Sequence, residues 1–193
     1  MQARPQVGEL SGAAWVARYP TSRSVDDLAQ PFRGRVENFL AALRAAGASV
    51  SIAATLRPPN RAFLMHYSYV IAREGFDPAR VPDRAGVAIR WVHTNAQGQP
   101  DIPASRRAAQ QMVGGYQIVH RPALASRHTE GLAIDMNISW SGTLTIVDSR
   151  GHSVAIAGMP RTGAGNAELH AVGESYGVQK LRTDAPHWSS DGH

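Results

Sequence analysis

From Leu132 to Ile138 apolar residues alternate with small or polar ones: Leu132, Ile134, Met136 and Ile138 against Ala133, Asp135 and Asn137. A period of two belongs to a β-strand with one face in a core and the other free. Asp135 is therefore expected to point away from the apolar layer. His128 stands at an odd offset before it, which would put its side chain on the opposite face of one unbroken strand. The chain must turn between the two, and Gly131 is the residue that permits the turn. Near the end comes Asp184-Ala185-Pro186-His187-Trp188. Pro186 has no amide hydrogen and biases Ala185 towards extended geometry, which predicts a tight loop over 184–187 rather than a helix.

The donors in these two stretches suit a metal. Neutral imidazole and carboxylate bind a borderline-soft dication well, and a catalytic zinc commonly takes three protein ligands, leaving a position for water. His128, Asp135 and His187 supply such a set for one Zn2+ ion. Asp184, three residues before a ligand in a tight loop, is placed to reach that water.

Ser126-x-His128-x-x-Gly131-x-Ala133-x-Asp135 followed by Asp184-x-Pro186-His187-Trp188 resembles the zinc peptidases of peptidoglycan. These comprise D-alanyl-D-alanine carboxypeptidases, D,D-dipeptidases and phage L-alanyl-D-glutamate endolysins, which share a fold with the hedgehog signalling domain. The resemblance covers roughly residues 50 to 192. It implies that His128, Asp135 and His187 bind zinc and that Asp184 is the general base. Asp in place of the Glu found in many members points to the endolysin branch. Thr55-x-Arg57-x-Pro59 is similar to the family's amino-terminal Arg segment, which implies that Arg57 stabilises an oxyanion or holds a substrate carboxylate. The same resemblance implies that Ser126 hydrogen-bonds the substrate or orients a ligand, and Trp188 reads as a wall of the cleft or, equally, as core packing. The fold it implies is α+β and hedgehog/DD-peptidase-like, a small, mainly antiparallel sheet packed with helices.

The length of 193 residues predicts one domain, 1–193, with residues 1–23 as a loosely structured arm. No apolar run is long enough for a transmembrane helix. The first residues lack the apolar core of a secretory signal, so action in the periplasm or cell wall would require holin-type release or contact-dependent secretion. With no cysteine, disulfides, thiolate metal sites and a cysteine nucleophile are excluded. The net charge of +5 suits an anionic partner such as the peptidoglycan peptide stem, although solubility accounts for it equally well. No dense basic run with interleaved aromatics points to nucleic acid. A monomer is expected.

Helical spacing of Leu28, Phe32, Val36, Phe39, Leu40 and Leu43 predicts a helix capped by Ser24 or, because Pro31 interrupts it, starting there. Strands are predicted at Val50–Ala54 and Val87–Trp91. Helices are predicted from Asn60 to Glu74, from a Ser105 cap onward, and over Ala167–Tyr176. Leu144–Val147 and Val154–Ala157 read as a hairpin. Met159–Asn166 is Gly-rich and reads as a mobile flap. His66, His93, His152 and His170 read as structural or surface residues.

Two function classes follow. One is a zinc peptidase cutting a peptidoglycan stem, with an endopeptidase placed ahead of a D-Ala-D-Ala carboxypeptidase because no closed dipeptide pocket is visible. The other is a catalytically silent zinc-containing wall-binding module. A two-metal nuclease would want more carboxylates than this set provides.

Overall fold

The strand predicted around Asp135 forms the middle of the structure that matters most. The computed structural model describes residues 8–193. Its strands are β1 (Glu9–Leu10), β2 (Ser49–Ala54), β3 (Ile89–Arg90), β4 (Ala133–Ser139), β5 (Leu144–Val147), β6 (Ser153–Ile156), β7 (Gln179–Lys180) and β8 (His187–Ser189). Its α-helices are α1 (Phe32–Ala45), α2 (Pro59–Arg73), α3 (Ile102–Gly115) and α4 (Ala167–Ser175). This is a mixed α+β chain whose main sheet is antiparallel. Among the described residues no helix is long and apolar enough to cross a membrane.

Length alone predicts one domain, but the chain divides into two compact units. One is Thr21–Arg57 with Ser126–His193; the other is Met1–Pro20, described from Gly8 onward, with Pro58–Ala125. Each has its own apolar core.

The first of these units contains the sheet β2-β4-β8-β7. Ile134, Met136 and Ile138 enter the core from β4, and α1 packs Phe32, Val36, Phe39, Leu40 and Leu43 into the same layer. α1 starts at Phe32, directly after Pro31. Ser24 caps only a single 3-10 turn, Val25–Asp27, by accepting from the Asp26 amide at 3.2 Å. Proline fits a helix start because its missing N–H would have no partner there. The register sets Asp135 opposite His187 on β8 and opposite Ala54 on β2. On β2 it shifts between Ile52 and Ala54, a bulge of the kind that re-aims the residues after it. The β5–β6 hairpin forms as predicted. The Met159–Asn166 segment is tied down rather than left as a flap. Thr162 bridges Ser139, the Gly163 amide donates to the Ile138 carbonyl at 2.8 Å, and the Asn166 amide group donates to the Pro160 carbonyl at 2.9 Å.

In the other unit α2 and α3 enclose Phe63, Leu64, Ile71, Ala109 and Met112, and Trp15 is buried among them. The described part of the expected arm is thus structured, with β1 pairing parallel to β3; residues 1–7 lie outside the described residues. The strand predicted over 87–91 shortens to Ile89–Arg90. α3 is capped by Asp101, whose carboxylate accepts from the Ala104 amide at 2.8 Å, and Pro103 occupies its first turn. Ser105 is inside the helix, where its hydroxyl accepts from the His93 amide at 2.9 Å.

Gly173 in α4 makes room for the main core. A Cβ there would lie 2.7 Å from Cζ3 of Trp188 and 2.9 Å from the Val178 carbonyl oxygen. Gly173→Ala is therefore expected to destabilise the protein by about 1–3 kcal/mol, the usual cost of overpacking. A urea midpoint that does not move would show that the indole has space to retreat.

Candidate metal centre

His128, Asp135 and His187 converge, although they come from a turn, the central strand and the start of its neighbour. His128 Nε2 lies 3.1 Å from Asp135 Oδ1 and 3.2 Å from His187 Nδ1, and that Nδ1 lies 3.1 Å from the same Oδ1. Both imidazoles are buried, and Asp135 is partly exposed.

Local sequence explains each placement. The turn at 126–131 is closed by Thr129, whose hydroxyl accepts from the Ser126 amide at 2.8 Å and donates to the Ser126 carbonyl at 2.7 Å. Gly131 then takes φ +70 with its Cα facing the backbone of Ala29, where a Cβ would come within 3.0 Å of the amide nitrogen. This left-handed residue reverses the face, so that His128 and Asp135 meet in spite of their odd spacing. On the other side the Met136 amide donates to the Pro186 carbonyl at 2.8 Å, which seats the 184–187 turn against β4.

The outer nitrogens define the chemistry of the inner ones. His128 Nδ1–H donates to the Thr55 carbonyl at 2.7 Å, and His187 Nε2–H donates to the His193 backbone oxygen at 3.1 Å. Carbonyl oxygens only accept, so each ring must hold a proton on its outer nitrogen. In the neutral rings the inner nitrogens are then lone pairs, aimed at each other and at a carboxylate oxygen. Such a triangle repels itself unless a cation sits against it. A regular tetrahedron with metal–ligand bonds of ~2.0–2.1 Å has ligand atoms roughly 3.3–3.4 Å apart, close to the separations here. His–carbonyl bonds of this kind are the usual outer support of metal-bound imidazole. The three residues fit a divalent metal ion.

Without a metal, protons must do the screening. Burial alone would push the Asp135 carboxyl up, but its bonds to His128 and His187 prevail and hold it well below the ordinary carboxylate range. Burial pushes His187 down, yet the bond to Asp135, the His193 oxygen and the Asp135 and Asp184 charges together raise it.

The other expected site residues are distributed unevenly. Arg57 is half-buried and its amide donates to the His128 carbonyl at 3.0 Å, so its backbone is fixed to the ligand-bearing turn. Asp184 is exposed, and its carbonyl accepts from the His187 amide at 3.1 Å. Ser126 Oγ and Thr55 Oγ1 are buried polar atoms with no hydrogen-bond partner among the described residues. Trp188 does not line a cleft. It is fully buried, 5.6 Å from the Phe39 ring and 5.5 Å from the His170 ring, because a residue next to His187 on one strand faces the opposite side.

Two further groups support the site, of which Arg127 with Glu130 reads from sequence as solvated or as an outer support and Lys180 escapes such a reading. The Arg127 guanidinium pairs with Glu130 at 2.6 Å and, through Nε, with Asp191 at 3.0 Å, joining the 126–131 turn to the segment after β8. Lys180 places its ammonium among the carbonyls of Leu181, Asp184 and His187, the last at 3.0 Å. It fills the inside of the turn that carries both Asp184 and His187. A strand lysine gives no sign of this in sequence, because nothing marks which backbone oxygens will surround it.

Lys180→Met keeps most of the side-chain length and removes the three donors. It is expected to weaken metal binding about tenfold, in line with the loss of other outer supports, as read by competition with a chelating dye. Protons should also compete with the metal. In metal-free protein the raised pKa of His187 contributes stability below the unfolded value of about 6.5, lost as pH rises through the higher folded value. The lowered Asp135 contributes above about 3.9 and loses its contribution on acidification through its folded pKa. A metal needs the deprotonated imidazoles. Zinc used as a probe should therefore raise the melting temperature much more at pH 8 than at pH values below about 6; an equal shift at both would contradict this ligand set. No protein-family model and no curated protein matches this chain.

Proposed function

We propose that the chain is a zinc-dependent peptidoglycan peptidase that hydrolyses a peptide bond of the stem, acting as an endolysin-like endopeptidase in the periplasm or cell wall. The unit that carries the site is read as hedgehog/DD-peptidase-like. The observation that carries the proposal is the triangle of His128, Asp135 and His187, with inner nitrogens held as lone pairs by outer carbonyls and an acidic residue three positions before the last ligand. Two imidazoles and one carboxylate favour zinc over magnesium or calcium, which prefer all-oxygen surroundings.

Zinc supplies Lewis acidity there, polarising a carbonyl and lowering the pKa of water towards 7. Asp184, exposed at the mouth of its turn, takes the proton from attacking water and returns it to the leaving amine, the combined work of general base and acid. Arg57 shares the charge of the developing oxyanion, a job for which a guanidinium fork is suited. Ser126 Oγ, buried and without a hydrogen-bond partner among the described residues, is the group that a small movement of the 126–131 turn would offer to the substrate backbone. Lys180 keeps the turn of Asp184 in place and leaves the carboxylate itself free for chemistry.

Purified wall treated with the zinc-loaded protein should release new amino groups. Asp184→Ala is expected to lower that rate by about 10²–10⁴-fold, the range for loss of a positioned acid–base group, while zinc binding is retained. Mass spectrometry of the released muropeptides identifies the bond. Loss of a terminal D-alanine would make the protein a D-Ala-D-Ala carboxypeptidase instead. Absence of cleavage by wild type and variant alike would leave a zinc-containing wall-binding module.

A further inference from the structure

The excess positive charge of the chain is not shared between its two units. The unit with the metal centre has ten Arg and Lys against ten Asp and Glu, whereas the other has ten Arg, no Lys and five acids. The whole net charge of +5 therefore belongs to the unit without the metal centre.

Within that unit several arginines gather around the C-terminal end of α2. Arg73 is exposed in the last turn. Arg106, from α3, has its Nη2 3.5 Å from where a Cβ on Gly75 would be. Arg121, from beyond α3, reaches Glu74 with Nη1 to Oε2 at 3.3 Å. Arg80 lies with its Cζ 5.9 Å from the Phe76 ring centroid. All four are exposed, and Arg73 and Arg106 form no ion pair with any described residue. Two acids share the neighbourhood. Glu74 is engaged by Arg121, and Asp77 uses its carboxylate to accept from the Ala79 amide at 2.9 Å. The negative end of the α2 dipole accounts for one cation in its final turn, but not for two more brought there from α3 and its following segment.

We propose that Arg73, Arg80, Arg106 and Arg121 form a docking surface for a phosphate-bearing polymer of the cell envelope. The choice of an envelope polymer rests on the peptidase reading; the preference for phosphate rests on the side chains. Guanidinium forks bind phosphate oxygens bidentately and stay charged at every relevant pH. Several such contacts along a repeating polyanion add through released counterions, so the binding is steep in salt. A neutral unit bearing the metal site gains local concentration at the wall when the unit joined to it is held there. Single-stranded nucleic acid fits less well, because no exposed aromatic ring stands in the cluster for bases to stack on. Phe76 is half-buried and packs on Tyr67 at 5.8 Å.

The test uses the full chain, freed of metal with a chelator so that cleavage is silent. Co-sedimentation is measured with purified walls that retain their phosphate polymers and with walls stripped of them by hydrofluoric acid, across a salt series. Wild type should bind intact walls at low salt and lose binding steeply as salt rises. Stripped walls, and the triple variant Arg73→Gln/Arg106→Gln/Arg121→Gln, should each reduce binding at least about tenfold. Should the triple variant fold poorly by circular dichroism, Arg106→Gln alone, at an exposed and unpaired position, should still lower affinity and flatten the salt dependence. Equal binding to stripped walls, equal binding by the variants, or no binding by wild type would overturn the proposal. So would tighter binding to duplex DNA or to phosphatidylglycerol vesicles than to intact walls. The peptidase reading is judged separately, with zinc-loaded protein on a soluble stem peptide that carries no polymer. There the arginine variants should match wild type, whichever way the wall experiment turns out.

Discussion

Two backbone oxygens hold the metal centre in readiness. The Thr55 carbonyl and the His193 backbone oxygen each accept a hydrogen bond from the far side of an imidazole, so that in the neutral ring the near side presents a lone pair. Asp135 is left between two ring nitrogens at 3.1 Å, an arrangement relieved by a metal ion or, without one, by protons on the imidazoles. The surrounding fold pins this repulsion in place. Asp135 is in the central strand, bordered by β2 and β8, and cannot retreat without breaking ladder bonds on both sides. The site is thus preorganised for an ion, since little rearrangement is left to oppose its binding.

Each support is a local consequence of ordinary sequence chemistry. The bulge between Ile52 and Ala54 precedes Thr55, whose carbonyl then reaches His128. Gly131 permits a left-handed turn against the backbone of Ala29 and switches the face on which His128 emerges. Lys180 gathers three carbonyls that would otherwise point inward at one another within the 181–187 turn. Burial makes its charged form costlier, and the Asp184 and Asp135 charges favour it, with burial prevailing so that its pKa is lowered. A half-buried cation held by three carbonyls tolerates few alternative backbone paths, which is the kind of restraint a ligand such as His187 needs.

Much of this was legible in the sequence because metal chemistry uses few residue types. Alternation around Asp135 gave its face, Gly131 gave the turn, and Pro186 gave a tight approach to His187. What could not be read depended on backbone oxygens, which carry no letter: the carbonyls around Lys180 and behind both imidazoles. For Trp188 the structure decides between a cleft wall and core packing. The sequence predicts a loop as far as His187, whereas β8 begins at that residue, and strand parity then sends the next side chain into the core beside Phe39. At α3 the sequence predicts a Ser105 cap, but Asp101 stands earlier with a proline behind it, and the stronger combination begins the helix. The division into two cores follows from long-range exchange of segments, since residues 21–57 join 126–193 across an intervening stretch that no local pattern marks.

The charge distribution is consistent with the demands of the centre. Three ligand groups with a single carboxylate among them, suited to a dication, would hold it less well with further positive charge nearby. The unit that contains them balances its cations with an equal number of acids. Arg127, near the ligand-bearing turn, is itself neutralised by Glu130 and Asp191. Lys180 also stands close, and its charge is taken up by carbonyl dipoles of the turn it organises, whereas the Arg57 guanidinium is the cation the proposed reaction itself would use. The surplus arginines belong to the other unit, four of them grouped around the end of α2. The balance of charge around the candidate ligands and the surplus of arginine are thus properties of different cores within one chain.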